Sequence, residues 1–456
     1  MLQIKNTLGG GGSLKIENGS INEVPAIADI RKNTFIEVES PSNGTATLGF
    51  SDVNTYACYG ATFVMKLANG NYAGIRTDYN SNCYQVLMNS DGTKISETLM
   101  FTLNKIHDYK VIYLTQNKIA LIGFAFSPSS SNAANYLNIA VLNIKNDGFE
   151  VVFSKKLSFS PTSNNTHCGD AILLPDGRVL VSLFKGASST SSYGTLYFLF
   201  LTFSDSDVTA EFATFSGTTS YATYNTRICP NSDGSYTIYK HTGSTTSERN
   251  ILYAFVFTVE GSTIVKQTDE IMLESTKTFT DVLYAENDEN YTHAIAVWVG
   301  TSASNDNNGA MLTTVCDING ITIVAPLTRI DNLSSSNQRA TIIYLGSYNW
   351  LILTAGTSYK YSVITIIGKT IEHYECYFGD LVTHPELFSS FSYHCVPSEI
   401  EKGKYLVMGL YSNNYYCFSM VITFNFGGVK ESVNKIAGIS VEQINSGSNG
   451  KIYCLE

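Results

Sequence analysis

A short hairpin recurs seven times along this chain and narrows its possible folds more than any other feature. Its clearest copy runs from Cys83 to Met88, turns at Asn89-Ser90-Asp91-Gly92 and returns from Lys94 to Phe101. Further copies are Leu137 to Asn143 with Asn146-Asp147-Gly148, Leu196 to Phe203 with Ser204-Asp205-Ser206-Asp207, and Leu252 to Val259 with Glu260-Gly261. Met311 to Cys316 turns at Asp317-Ile318-Asn319-Gly320, Tyr361 to Ile366 at Ile367-Gly368, and Tyr416 to Phe424 at Asn425-Phe426-Gly427-Gly428. Each copy joins two β-branched and aromatic runs through Gly or Asp, residues that suit the backbone of a tight turn. From Gly92 to Gly428 the copies recur at a mean of about 56 residues, a period that suits four strands per unit in a radial array. The sequence therefore predicts an all-β fold: a seven-bladed β-propeller of four-stranded antiparallel blades, with a short N-terminal arm and a C-terminal β-hairpin.

Each unit opens with another hairpin, as at Ala61 to Leu67 before Asn69-Gly70, Ala171 to Leu174 before Asp176-Gly177, and Asp233-Gly234 before Tyr236 to Tyr239. The turns inside hairpins are two to four residues, whereas the second-to-third links are long: 76–82, 125–135, 185–194, 240–250, 300–309, 355–360 and 411–415. Alternate connections of a meander emerge at opposite ends, so one face is trimmed and the other is built of variable loops, where function concentrates. Thr45 to Phe50 has the pattern of an outer strand and precedes the first unit, much as Phe212 to Phe215 precedes a later one. It is expected to complete the last blade and so close the ring, which hides sheet edges; the short, charged Val429 to Val433 is the competing fourth strand. These readings divide the chain into an attachment arm and linker at 1–40, the propeller at 41–433 and a hairpin tail at 434–456.

Composition excludes several classes. With 29 Lys and Arg against 39 Asp and Glu the net charge is −10, and no basic stripe stands out, so neither nucleic acid nor an anionic membrane is an expected partner. No apolar run reaches the length of a spanning helix, and the first residues lack the apolar core of a signal peptide. Nine scattered Cys fit reduced, buried thiols.

No nucleotide-binding or nucleophile-elbow motif is present, and no cofactor is expected. Asn89-Ser90-Asp91-Gly92 and Asn231-Ser232-Asp233-Gly234 resemble the aspartate boxes of sialidases, but Ile95 and Thr237 stand where the box needs an aromatic; hairpin chemistry accounts for them. Cys58, His167-Cys168, Cys229 and His394-Cys395 fall just before first strands and would converge on a channel mouth. They lack metal-ligand spacing and read as small hub residues. Ser304 to Gly309 reads as an Asn-rich loop rather than a calcium site, and Asp170, Asp281, Glu286 and Asp380 as turn or solvated charges. The loops hold the more usable signal, because Tyr79, Tyr193, Tyr359, Tyr411, Tyr415 and Tyr416 lie among Ser, Asn and Gly. That mixture of rigid amphipathic rings and adaptable polar groups suits binding, and Tyr faces suit sugar rings. These six are the candidate ligand-binding residues, with no catalytic or metal-binding residue assigned.

Two terminal pieces carry a resemblance. Ile4 to Gly10 with Leu14-Lys15-Ile16-Glu17-Asn18-Gly19 and Asn33 to Val38 resembles the N-termini of bacteriophage and prophage virion proteins of Gram-positive hosts. The tail Ile436-Ala437-Gly438-Ile439, with Gly447, Gly450 and Lys451-Ile452-Tyr453, is similar to a C-terminal hairpin of phage structural proteins, although Ser440 stands where that pattern has Ala. The resemblance covers about 50 residues and implies a tail, baseplate, neck or head appendage, assembled in the bacterial cytoplasm and carried on the virion. The expected partners are other virion proteins through 1–40 and 434–456 and a host cell-surface polysaccharide, with the chain homo-oligomeric on the particle. A glycan hydrolase or lyase and a purely architectural decoration protein are the alternatives.

Overall fold

The computed structural model describes residues 3–5, 13–15, 21–25, 30–31, 35–39, 42–52, 62–78, 82–102, 108–124, 136–158, 166–185, 196–216, 223–242, 252–274, 282–287, 294–299, 310–317, 320–329, 340–346, 349–354, 360–367, 370–377, 395–411, 416–425, 428–431, 438–440, 443–444 and 449–454. The chain is all-β, built of antiparallel sheets that follow one another in sequence. Four strands pair in order in 108–158 (Asp108–Thr115, Lys118–Phe124, Tyr136–Lys145, Gly148–Ser158) and in 166–212 (Thr166–Leu173, Val179–Lys185, Leu196–Phe203, Val208–Phe212). The same meander forms 282–329 and 340–377, and it is the body of 62–102 and 223–274.

The turns explain why the repeat folds this way. Leu67–Asn71, Asn89–Thr93, Leu174–Arg178 and Asn231–Ser235 share one construction. The Gly N–H donates to the carbonyl three residues back at 3.0–3.1 Å, and the preceding Asn or Asp side chain accepts the N–H two residues on at 2.9–3.0 Å. An Asx turn followed by positive φ needs that residue pair, and Gly92 and Gly234 stand at φ 84° and 83°. Both aspartate-box-like segments are thus hairpin turns. At this end of the sheets three opening turns also reach the third-to-fourth turn of the next sheet: Asn69 N–H to the Asn146 carbonyl, Lys118 Nζ to Asp205, and Arg178 Nη2 to the Gly261 carbonyl at 2.8 Å.

The core lies between successive sheets. Phe63, Ile75 and Phe101 pack on Ile119, Leu121 and Leu142; Ile122, Ile139 and Val141 on Val179, Val181 and Leu199; Leu180, Phe198 and Phe200 on Ile238, Phe255 and Phe257. First strands lie side by side in chain order, Asp108–Thr115 against Thr166–Leu173, then Thr223–Pro230, Val282–Asn287 and Ala340–Gly346. The last sheet packs on the first, with Leu406, Met408, Cys417 and Val421 against Val64, Tyr72, Val86 and Met88.

That last sheet is Ser398–Glu401, Lys404–Tyr411 and Tyr416–Asn425, and its fourth strand is the N-terminal Ser42–Asp52, in register from Ser42 opposite Asn425 to Asp52 opposite Cys417. The competing strand after Gly427 goes elsewhere: Gly428–Glu431 pairs with Phe35–Glu39. Together with Gly438–Ser440, Asn449–Cys454 and Ile21–Pro25 these form a five-stranded terminal sheet. The arm and the tail, separate pieces in the sequence, share this sheet, and a bridge between Ile30 and Ile444, both buried, ties them again. The expected hairpin of 438–440 with 449–454 is present within it. After the 166–212 sheet, Thr214–Ser216 crosses to the outer edge of the next and pairs parallel with Thr263–Lys266.

Candidate functional site

The meander sorts the connections by end. First-to-second and third-to-fourth turns share one end of the sheets; second-to-third and sheet-to-sheet links share the other. Ser42 lies opposite Asn425 at the turn end, so the terminal sheet, which flanks it through Glu39 and Gly428, is joined at that end. The links bearing the candidate tyrosines leave from the opposite one. Tyr411 and Tyr416 are register partners where their hairpin opens toward 412–415. Tyr79, Tyr193, Tyr359 and Tyr415 lie outside the described residues.

The first strands carry a polar network that sequence reasoning missed. Asp170 was expected to be a solvated or turn charge; it is instead 4% exposed and bridges three consecutive first strands. One carboxylate oxygen meets Lys110 Nζ at 2.8 Å and the Ala171 N–H at 2.9 Å, and the other accepts the Ile228 N–H at 2.9 Å. A bulge between Cys168 and Asp170 makes the geometry possible. Gly169 sits within it so close to Thr226 that a Cβ would overlap the hydroxyl, and its carbonyl accepts from Arg227 Nη1 at 2.6 Å. Ser182 Oγ completes the group by accepting the Asp170 N–H and bonding Thr226 Oγ1 at 2.8 Å. A carboxylate buried among apolar strands is stable only because all these donors converge on it.

Two further groups stand toward the link end. Asp78 closes the link after Tyr72–Thr77 by accepting from the Asn82 N–H and Nδ2 at 2.8 Å and from Tyr84 OH at 3.3 Å. Beside it the buried Arg76 guanidinium pairs with Glu97 and lies 4.2 Å over the Tyr84 ring. In the 223–274 sheet the outer strand breaks into Thr263–Lys266 and Ile271–Glu274. The break carries Glu270 inward to Lys240, with Nζ and Oε1 at 2.7 Å and both side chains inaccessible (0% and 4%). Burial pushes the Lys240 ammonium below its ordinary range, against the opposing pull of Glu270. The signal in the sequence was a charge on the core-facing register of a strand, at Lys240 in Tyr-Thr-Ile-Tyr-Lys and Asp170 before Ala-Ile-Leu-Leu.

The cysteine and histidine readings also resolve. Cys229, expected just before a first strand, lies inside Thr223–Pro230 and is buried; His167 and Cys168 lie inside Thr166–Leu173. Cys395 is in Cys395–Val396, which pairs parallel with Thr62–Lys66. Cys58, His394, Asp281, Asp380 and the 304–309 loop are outside the described residues, and of Glu286 only its place in Val282–Asn287 is described. Among the described residues no three His, Cys, Asp or Glu side chains gather as metal ligands. Burial pushes the Cys83 thiol up, away from reactivity.

No family model and no curated protein matches the sequence. Among solved structures, a fungal alcohol oxidase of the AA5 family, in complex with copper, aligns with a TM-score of 0.51 over 83% of this chain and 76% of its own, at 9% identity. At that identity the likeness is one of fold alone. The polysaccharide lyase Uly1 aligns with a TM-score of 0.47 over 90% of this chain and all of its own, at 11% identity. A Penicillium chrysogenum α-L-arabinanase in complex with arabinobiose aligns at 0.40 over 84% and 98%, at 13% identity.

Proposed function

We propose that the chain is a seven-bladed propeller, closed into a ring by Ser42–Asp52, that works as a binding appendage of a bacteriophage virion. In this reading the terminal sheet holds the protein to the particle, and the link-bearing face contacts a host-surface glycan or another virion protein. One observation carries it: the sheet built from both chain termini joins the repeat at the turn end, while the long links leave from the opposite end. A protein that must be fixed at one side and bind at the other needs that polarity. The packing of Leu406, Met408 and Cys417 on Val64 and Tyr72 supports the ring, because it sets the last sheet against the first. The resemblance of the termini to virion proteins of Gram-positive hosts supplies the setting. The paired charges on the first strands serve the scaffold, leaving recognition to the links and their tyrosines.

The test is retention of purified protein on cell walls of the host, alongside glycan arrays. Retention that falls when Tyr79, Tyr193, Tyr359, Tyr411, Tyr415 and Tyr416 are replaced by Ala supports glycan binding at this face. Absence of retention together with absence from purified particles overturns the proposal. Release of reducing ends or unsaturated sugars from the wall polysaccharide would replace the binding role with a hydrolase or lyase.

A further inference from the structure

The seam between the last sheet and the first is built from both ends of the chain. Among the described residues, every other repeat draws its four main strands from one continuous stretch, whereas the last sheet takes Ser42–Asp52 from the far end. That strand carries a bulge. Phe50 lies opposite Ser419 and Leu48 opposite Met420, so Gly49 is left without a register partner. The bulged glycine lies against Gly92, the left-handed residue of the third-to-fourth turn in the first sheet, and a Cβ on Gly49 would overlap the Gly92 backbone. At the same point stands Ser419, 0% exposed within Tyr416–Asn425. Its Oγ accepts the Phe50 N–H at 3.2 Å and donates to the Gly92 carbonyl at 2.5 Å. One hydroxyl thus joins three segments, with Phe50 and Gly92 lying 369 and 327 residues away from it in the chain. Lys94, just beyond the turn, sets its Nζ 5.3 Å from the centre of the Phe50 ring.

Asn69, Lys118 and Arg178 tie one sheet to the next through turns alone, so each of those sheets keeps its own strands whether or not the tie is made. At the seam, the tie between sheets and the pairing of the fourth strand meet in one side chain. The Ser419 hydroxyl makes both its bonds only when Ser42–Asp52 is in register and the turn at 89–92 is docked. Loss of either segment leaves the hydroxyl half bonded and a backbone group of the junction unpaired, which costs free energy inside a protein. We infer that Ser419 is the latch of the seam: it couples Ser42–Asp52 to the turn at 89–92, so that the two release together as one opening unit while the sheets between 108 and 274 stay closed. Proteins open locally where the least structure must be broken, and a strand brought from the far end of the chain is such a place. Once released, the strand uncovers the edge of Tyr416–Asn425. The latch stands on these contacts alone, whatever the link-bearing face binds.

Native-state hydrogen exchange at amide resolution, in a urea series below the unfolding transition, tests this on the unaltered full chain. The paired amides of Ser42–Asp52 and the turn amides of Asn89 and Gly92 should share one opening free energy and one urea slope. Both should lie below those of Val179–Lys185 and Leu196–Phe203, which pair within a continuous repeat. Ser419→Ala then removes the hydroxyl and leaves the backbone ladder in place. It should raise exchange in both seam segments by roughly tenfold, the scale of a lost buried hydrogen bond, and leave Val179–Lys185 unchanged. Two different opening energies in the unaltered chain overturn the coupling, with no need of the variant. So does a response to Ser419→Ala in only one seam segment or in neither, and so does an equal rise in every sheet, which would make Ser419 a general core residue.

Discussion

Replacing the buried pair of Lys240 and Glu270 gives the sharpest test of the scaffold. The two charges stand 2.7 Å apart with side chains 0% and 4% exposed, so removing either leaves the other uncompensated inside the protein. Lys240→Met or Glu270→Leu alone should each cost about 3–5 kcal/mol, the usual penalty for orphaning one partner of a buried pair. The double variant fills the space with apolar groups and desolvates nothing, so its stability should lie within about 1 kcal/mol of the parent or above it. Urea unfolding followed by near-ultraviolet circular dichroism, which 29 Tyr make strong, reads all four corners of the cycle, provided the slope with denaturant stays constant. A pH series adds an independent check. Burial lowers the folded-state value of Lys240 below the ordinary 10.5, so between the folded and unfolded values the unfolded chain binds more protons. Stability should therefore rise with pH across that window, and Lys240→Met should flatten the rise. Additive single costs in the double variant, or a Glu270→Leu cost below about 1 kcal/mol, would refute the claim that the outer strand breaks in order to bury this pair.

Other substitutions probe the remaining joints. Asp170→Ala orphans the Ile228 and Ala171 N–H groups and should cost about 3–5 kcal/mol, whereas Asp170→Asn keeps an acceptor and should cost less than half of that; equal losses in urea unfolding would dissolve the three-strand bridge. Gly49→Ala sets a methyl group against the Gly92 backbone where Ser42–Asp52 meets the first sheet, and should cost about 1–3 kcal/mol by thermal unfolding. Removing residues 1–52 strips the outer strand from Tyr416–Asn425 and should give aggregates by size-exclusion chromatography, whereas removing residues 2–19 should leave the oligomeric state of the full chain unchanged. Tyr411→Ala with Tyr416→Ala should weaken wall retention without moving the unfolding temperature, since both stand where their hairpin opens.

What could be read in advance follows from the range of the interactions involved. The Asn-Gly and Asp-Gly turns are local: an Asx side chain and a left-handed Gly settle the backbone within five residues, so hairpin positions emerge from the chain itself. Thr45 to Phe50 could be placed in the last sheet because it repeats the pattern of an outer strand with no partner nearby. The destination of Val429 was less legible, because a short charged strand fits either edge and the choice depends on Phe35–Glu39, almost 400 residues away. Asp170 was misread for the same reason. Its strand register marks it as core-facing, but its partners Lys110 and Ile228 belong to other sheets, so nothing nearby in sequence shows what would satisfy a buried carboxylate there. Lys240 and Glu270 are both ordinary surface residues by composition; only the broken outer strand makes them neighbours.

The polarity of the molecule has a mechanical consequence. Both backbone routes from the terminal sheet into the repeat, Glu39 to Ser42 and Gly428 to Asn425, enter at the same end of the same strand pair. A load between that sheet and the opposite face therefore pulls Ser42–Asp52 and Tyr416–Asn425 together in one direction, and does not peel one from the other. Their antiparallel ladder is spared, because the two strands are drawn the same way and do not slide past each other, and the force passes to Lys404–Tyr411 as shear distributed over eight paired positions, from Lys404 opposite Thr423 to Tyr411 opposite Tyr416. Shear along a ladder must break many bonds at once, whereas peeling breaks them singly. Had Val429 supplied the fourth strand, as its place in sequence allows, the N-terminal half of the terminal sheet would have had no such anchor. The long-range pairing of Ser42–Asp52 is thus what lets one sheet serve both as the seam between the chain ends and as the mount for whatever the terminal sheet holds.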